Sequence, residues 1–151
     1  MARSIRIAAA LALLAALVVG TGTVAANSGR PKVFDAKFVG LAVPGTIVAG
    51  VTGAGHAWAI ESGKAMIFKG NRVKVIVEGL VLTPEGMNPI GSGLVRVSCN
   101  GGATIVDSGP VPLSIPDGNA EFDGTLPLPS PCNDPAVFFT SSGGAWFAVA
   151  Q

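Results

Sequence analysis

The sequence predicts an all-β protein: an antiparallel, immunoglobulin-like β-sandwich of roughly seven to nine strands, with one disulfide, after an N-terminal signal peptide. Apolar and polar residues alternate in several short runs, as in strands with one buried face. Glycine and proline interrupt the chain about every 8–12 residues, a rhythm typical of sandwiches and barrels. After the leader, no segment of about ten residues has the apolar spacing of a helix.

The leader is predicted from residues 1–26. A basic start, MARSIR, precedes the apolar run IAAALALLAALVVG and the small residues TGTVAA, which is the pattern of a secretory signal peptide. We expect cleavage after Ala26 and a secreted, extracellular or periplasmic product. The alternative is an uncleaved membrane anchor, because the apolar run from Ile7 is nearly long enough to span a bilayer.

What remains is about 125 residues, enough for one domain. Residues 27–32 are a polar lead-in, and residues 33–151 are the predicted β-sandwich domain. Removing the leader takes away Arg3 and Arg6, so the number of Lys and Arg residues falls from 10 to 8. The number of Asp and Glu residues stays at 9. A chain so close to neutral lacks the basic footprint of a nucleic-acid-binding protein, so no nucleic-acid partner is expected. Membrane contact is expected only through the leader, if it is retained, and no cofactor is expected.

Cys99 and Cys132 are the only cysteines. In an oxidising compartment an even cysteine count indicates a disulfide, and two cysteines allow one pairing. Closing a loop of this size stabilises a fold by about 3–4 kcal/mol on the chain-entropy model. A CxxC redox pair is excluded by the spacing, so we interpret the bond as structural.

Strand candidates follow the lead-in in order. Val73, Val75 and Val77 alternate with polar or aliphatic residues in RVKVIVEGLVL, the clearest strand signal. ESGK is predicted as a hairpin loop, and LTPEGMNPIGSG as a loop blocked by proline and glycine. Alternation resumes in GLVRVSC, which places Cys99 on the inward face. The candidate strands are 33–40, 46–50, 56–61, 65–69, 72–82, 93–99, 103–108, 120–128, 136–141 and 145–150.

The tryptophan that immunoglobulin domains carry between their two cysteines is missing, since Trp58 and Trp146 both lie outside that interval. The segment 109–149, preceded by VRVSCNGG, instead resembles a class of uncharacterised secreted bacterial β-proteins. These share a strand ending in Cys, an acidic strand, a proline-flanked Cys, a V-F strand and a terminal W-x-A. The resemblance implies a secreted β-fold and supplies no catalytic residue, since the class has no assigned activity.

Candidate chemistry is sparse. His56 is the only histidine, so a Ser–His–Asp hydrolase would have to use it. No serine has the G-x-S-x-G spacing of a nucleophile elbow. We therefore interpret His56 as a surface or packing residue, and a hydrolase remains the least favoured function.

Oxygen ligands alternate along DGNAEFD, at Asp117, Asn119, Glu121 and Asp123. Alternate residues share one face of a strand, so a weak calcium site is conceivable there. The EF-hand pattern is broken, because Phe122 replaces the required glycine. A turn followed by a solvated strand face is the favoured interpretation, and no metal site is assigned.

Five aromatic residues form a candidate contact surface. Neighbours in a strand point to opposite faces, so one member of each adjacent pair should leave the core and create an exposed apolar patch. The residues are Trp58, Phe138, Phe139, Trp146 and Phe147.

The expected function is that of a secreted, non-catalytic extracellular or envelope module with a binding or structural role. Its expected partner is a protein or cell-surface component. The alternatives are a small-ligand carrier with an apolar pocket, between the sheets or at one end, and a hydrolase that uses His56.

Overall fold

The computed structural model describes residues 29–151, so the expected signal peptide and cleavage site lie outside the described residues. Residues 29–151 contain thirteen strands, one 3-10 turn at Asn100–Gly102 and no α-helix. This part of the chain includes no helix long and apolar enough to cross a membrane. The all-β prediction is confirmed.

The strands are short and follow one another in this order: β1 Lys32–Lys37, β2 Val39–Gly40, β3 Ile47–Val48, β4 Val51–Thr52, β5 Trp58–Ala59, β6 Ser62–Phe68, β7 Arg72–Glu78, β8 Val81–Leu82, β9 Ser92–Cys99, β10 Thr104–Pro112, β11 Ala120–Thr125, β12 Ala136–Thr140 and β13 Trp146–Ala150. A four-stranded sheet has the order β1-β6-β7-β11, and a five-stranded sheet has the order β10-β9-β12-β13-β2. The strand pairs in both sheets are antiparallel. The pairs β3-β4 and β5-β8 form two small ladders. These ladders raise the count above the predicted seven to nine.

The alternation in β7 has the predicted consequence. Val73, Val75 and Val77 are buried, and the register sets Val75 opposite Ala65 and Val73 opposite Ile67. One face of the four-stranded sheet therefore joins the core, whereas its other face carries the lysines, arginines and carboxylates of the same strands. Buried residues of both larger sheets belong to a single hydrophobic cluster.

The five-stranded sheet is buried more completely. Every residue of β12 and β13 is buried. The β3–β4 hairpin covers part of this sheet: the Ser98 hydroxyl donates a 2.7 Å hydrogen bond to the Ala49 carbonyl, and the Trp146 indole donates one of 3.0 Å to the Thr46 carbonyl. The hairpin tip comes so close to the 3-10 turn that a Cβ on Gly102 would lie 2.9 Å from the Ala49 carbonyl oxygen.

The disulfide joins Cys99, at the end of β9, to Cys132, in the bend before β12, with the two Cα atoms 4.9 Å apart. Cys99 is fully buried, as its place in the alternation predicts. The predicted pairing and its location are confirmed. Phe38 alone separates β1 from β2, so one stretch of chain contributes a strand to each of the two larger sheets.

Candidate functional site

His56 lies exposed on a bend, because the predicted strand 56–61 is reduced to β5. Across residues 29–151, no side-chain hydrogen bond or salt bridge reaches it. The structure therefore brings neither a hydroxyl nor a carboxylate into hydrogen bonding with the only histidine. The arrangement that a His56 hydrolase needs is not formed in this geometry.

The four oxygen ligands of DGNAEFD are not brought together. Glu121 lies 3.2 Å from the Lys74 ammonium, and the Asn119 side-chain oxygen accepts a hydrogen bond from the backbone N–H of Gly79. Asp117 is exposed in the turn. No three His, Cys, Asp or Glu side chains within residues 29–151 converge as a metal site would require. The alternating candidates are used in turn geometry and cross-strand pairs instead.

Asp123 shows how completely these carboxylates are engaged. The Arg72 guanidinium donates two hydrogen bonds to it, of 2.7 and 2.6 Å, across the β7–β11 pair. These hydrogen bonds, more than the charges of Arg72 and Lys74, hold the pKa of Asp123 below its ordinary value. An anion already neutralised in this way is a poor ligand for a cation.

The prediction of an exposed aromatic contact surface is wrong. All five aromatic residues are buried. The alternation of side chains does send neighbours in different directions, but both faces of β12 and β13 are covered. Trp58 lies with its ring centroid 4.2 Å from that of Phe147, and the Trp146 ring is 6.1 Å from that of Phe138. The β3–β4 hairpin, whose role the sequence did not reveal, provides part of this cover.

A surface groove lies where β6 begins and β7 ends. Its volume is about 760 Å³, and Met87 is 53% exposed at its edge. The groove is lined by Ala59, Ile60, Glu61, Gly79, Val81, Gly86, Met87, Pro116, Asp117 and Asn119. Its walls come from the β5–β6 connection, from the 83–91 loop and from the 113–119 loop.

Asn88 holds the two loops together. Its side chain is 0% exposed, and its amide nitrogen donates hydrogen bonds to the carbonyls of Ile90, at 2.6 Å, and Ser114, at 2.8 Å. Its side-chain oxygen accepts from the backbone N–H of Ile90, and its own N–H donates to the Pro116 carbonyl. A buried amide with every polar group paired fixes one loop against the other. The groove is therefore preformed.

A second cleft, of about 510 Å³, adjoins the first and shares Glu61 and Asn119 with it. It adds the carboxylates of Glu78 and Glu121. We call the two clefts together the loop-end groove. Four carboxylates line it, and none of the described residues that line it is Lys or Arg. The groove thus combines apolar wall area with carboxylates, of which Glu121 is paired with Lys74.

Sequence reasoning missed this groove. PEGMNP and PDGN were both recognised as loops, but nothing in the sequence shows that they touch. The 113–119 loop also packs closely on the β7–β8 connection, where a Cβ on Gly118 would lie 2.0 Å from the Leu80 carbonyl oxygen. The four acids are scattered from position 61 to position 121. Glu78 and Glu121 lie on β7 and β11, whereas Glu61 and Asp117 lie in the connections beside them.

Comparison with known proteins identifies no relative of this chain. No family model, no curated protein and no solved structure matches the chain.

Proposed function

We propose that the protein is a secreted, non-catalytic β-sandwich with an immunoglobulin-like arrangement that binds a protein or other cell-surface component through the loop-end groove. The observation that carries the proposal is the preformed groove itself: an open concavity with exposed Met87 at its edge and two loops fixed by buried Asn88. A fixed surface loses little conformational entropy on binding, and methionine adapts to varied apolar partners.

A secreted location is supported by the leader-like composition of residues 1–26 and by the Cys99–Cys132 disulfide, which suits an oxidising compartment. A non-catalytic role is supported by the exposed position of His56 and by the engagement of Glu121 and Asp123 with basic side chains. The partner's contacting segment is proposed to carry apolar groups beside at least one positive charge, which complements the carboxylates of the groove.

Affinity capture with the purified protein as bait, under non-reducing conditions and from the culture that naturally expresses it, tests the proposal. The wild type is compared with Met87→Glu and with Val43→Glu, a matched control on an exposed apolar residue away from the groove. We expect one partner to be retained by the wild type and by the control but lost with Met87→Glu. Retention by all three baits would contradict the groove as the binding surface.

The enzyme alternative is separated by His56→Ala. We expect this variant to capture the same partner as the wild type. Turnover of an ester or glycoside by the wild type that disappears in His56→Ala would overturn the non-catalytic assignment.

A further inference from the structure

A second concavity occupies the opposite end of the four-stranded sheet, where β6 ends and β7 begins. Its volume is about 300 Å³, which lies at the lower limit for small-molecule sites. We call it the hairpin-end pocket. It is lined by Val33, Ile67, Phe68, Lys69, Gly70, Asn71, Leu128, Pro129, Ser130, Cys132 and Pro135. Most of this lining is apolar.

The pocket is held open by the turn that joins β6 to β7. Asn71 adopts a φ of 63°, and its side-chain nitrogen donates a 3.1 Å hydrogen bond to the Leu128 carbonyl. Its own carbonyl accepts a 3.1 Å bond from the N–H of Leu126. Asparagine tolerates this left-handed conformation better than most residues. The two hydrogen bonds therefore fix the 126–128 segment, which forms one wall of the pocket, against the turn.

The charges at this end are positive. Lys69 is the only charged residue among the described residues that line the pocket. A guanidinium nitrogen of Arg30 lies 3.7 Å from the place a Cβ on Gly70 would occupy, so a second cation stands at the rim. Within residues 29–151 neither cation has a carboxylate within salt-bridge distance. Arg72, whose guanidinium is 6.0 Å from the Phe68 ring centre, is already bound to Asp123.

We propose that the hairpin-end pocket binds a small amphipathic anion, an aliphatic chain that ends in one carboxylate. The chain packs against Val33, Phe68 and Pro129, which expose apolar surface to the pocket, and the carboxylate is held by Lys69 and Arg30. Burying an apolar chain supplies the driving force, and the two cations without carboxylate partners select the sign of the head group. The site shares no lining residue with the loop-end groove, so a test of this proposal is independent of a test of the proposed function.

Titration of decanoate into the isotopically labelled protein, followed by amide NMR, tests the proposal. We expect saturable shifts in Lys69, Gly70, Asn71 and Ser130, with decanol and decyltrimethylammonium binding more weakly. Equal binding of the three probes, shifts centred outside the pocket, or no saturable binding would each overturn it. Binding to phosphatidylglycerol vesicles without a response to decanoate would also overturn it, because the occupant would then be a membrane surface.

Two variants locate the site. Val33→Glu places a carboxylate at an exposed rim position and is expected to weaken decanoate binding about tenfold through like-charge repulsion. Val39→Glu is the matched control, because Val39 is 66% exposed against 67% for Val33 and lies outside the pocket. Lys69→Gln should weaken binding about threefold, as expected for loss of one exposed ionic contact. Equal effects of Val33→Glu and Val39→Glu would contradict the assigned location.

Discussion

Asn88 is the most informative residue in the molecule, because it is a fully buried polar side chain in a loop. It lies in a stretch interrupted by Pro84, Gly86 and Pro89, which forms no long strand or helix of its own. Its hydrogen bonds replace the backbone ladder that a strand would have provided there. The Asn88 side chain therefore helps to fix the loop-end groove, together with the backbone hydrogen bond from Leu113 to the Gly91 carbonyl.

Replacing Asn88 by Ala should lower the free energy of unfolding by about 1–3 kcal/mol, because the Ile90 carbonyl would lose its side-chain donor and the Ser114 carbonyl would keep only the N–H of Gly118. Chemical denaturation measures this difference. Asn133→Ala is the control, since Asn133 is exposed and its hydrogen bonds within residues 29–151 run through its backbone. Similar losses for both variants would show that Asn88 does not fix the loops. The same Asn88→Ala variant should also retain less of the partner captured by the wild type.

At the scale of elements, the β7–β11 pair is the clearest example of charges organised by register. Asp123 stands opposite Lys74 and receives its two hydrogen bonds from Arg72, two residues earlier in β7. The hydrogen bonds to Asp123 raise the pKa of Arg72 and lower that of Asp123. Both side chains remain substantially exposed, so solvent limits the value of the pair.

A double-mutant cycle of Arg72→Gln and Asp123→Asn should give a weak favourable coupling free energy at pH 7, because solvent screens an exposed ion pair. Because the folded pKa of Asp123 is lowered, this stability is complete above the unfolded pKa of about 4 and is lost as the pH falls through the folded value. Denaturation of the four proteins between pH 7 and pH 2 measures it. A coupling energy that stays constant down to pH 2 would contradict the cause given for the pKa shift.

Element prediction succeeded for the longer strands that carry a clear apolar pattern. Strands β6, β7, β9, β12 and β13 lie within or close to the predicted ranges, since alternation or a dense apolar run marks them. The predicted hairpin loop ESGK is wrong: Ser62, Gly63 and Lys64 belong to β6. Gly63 packs there against Phe38 and Ile60, contacts that no local turn rule contains. The β5–β8 ladder could not be predicted for the same reason, because Trp58 pairs with Leu82, which is distant in sequence.

For the whole molecule, the disulfide is the one long-range link that composition alone predicted. The cysteine count and the expected compartment sufficed, because two cysteines allow only one bond. The sites were less accessible to sequence reasoning. Three features arise from tertiary contacts between segments that look like ordinary turns. They are the loop-end groove, the hairpin-end pocket and the cover over the second face of the five-stranded sheet.

Replacing both Cys99 and Cys132 by Ala should lower the free energy of unfolding by about 3–4 kcal/mol, because the unfolded chain regains the freedom of the closed loop. Denaturation with and without a reducing agent measures this effect. The reducing agent should destabilise the wild type and leave the double variant unchanged. Equal stability of the oxidised wild type and the double variant would show that the bond contributes nothing.

The acids of the loop-end groove and the cations of the hairpin-end pocket lie at opposite ends of β6 and β7, about 20 Å apart at the rise of an antiparallel strand. Lys37 and Lys64 lie beside Glu61 at the groove end and offset part of this charge separation. The remainder exerts a torque that turns Arg30 and Lys69 toward an anionic wall and Glu78 away from it. Dissolved ions screen this torque beyond about 8 Å at physiological salt, so it would act only in the last step of approach.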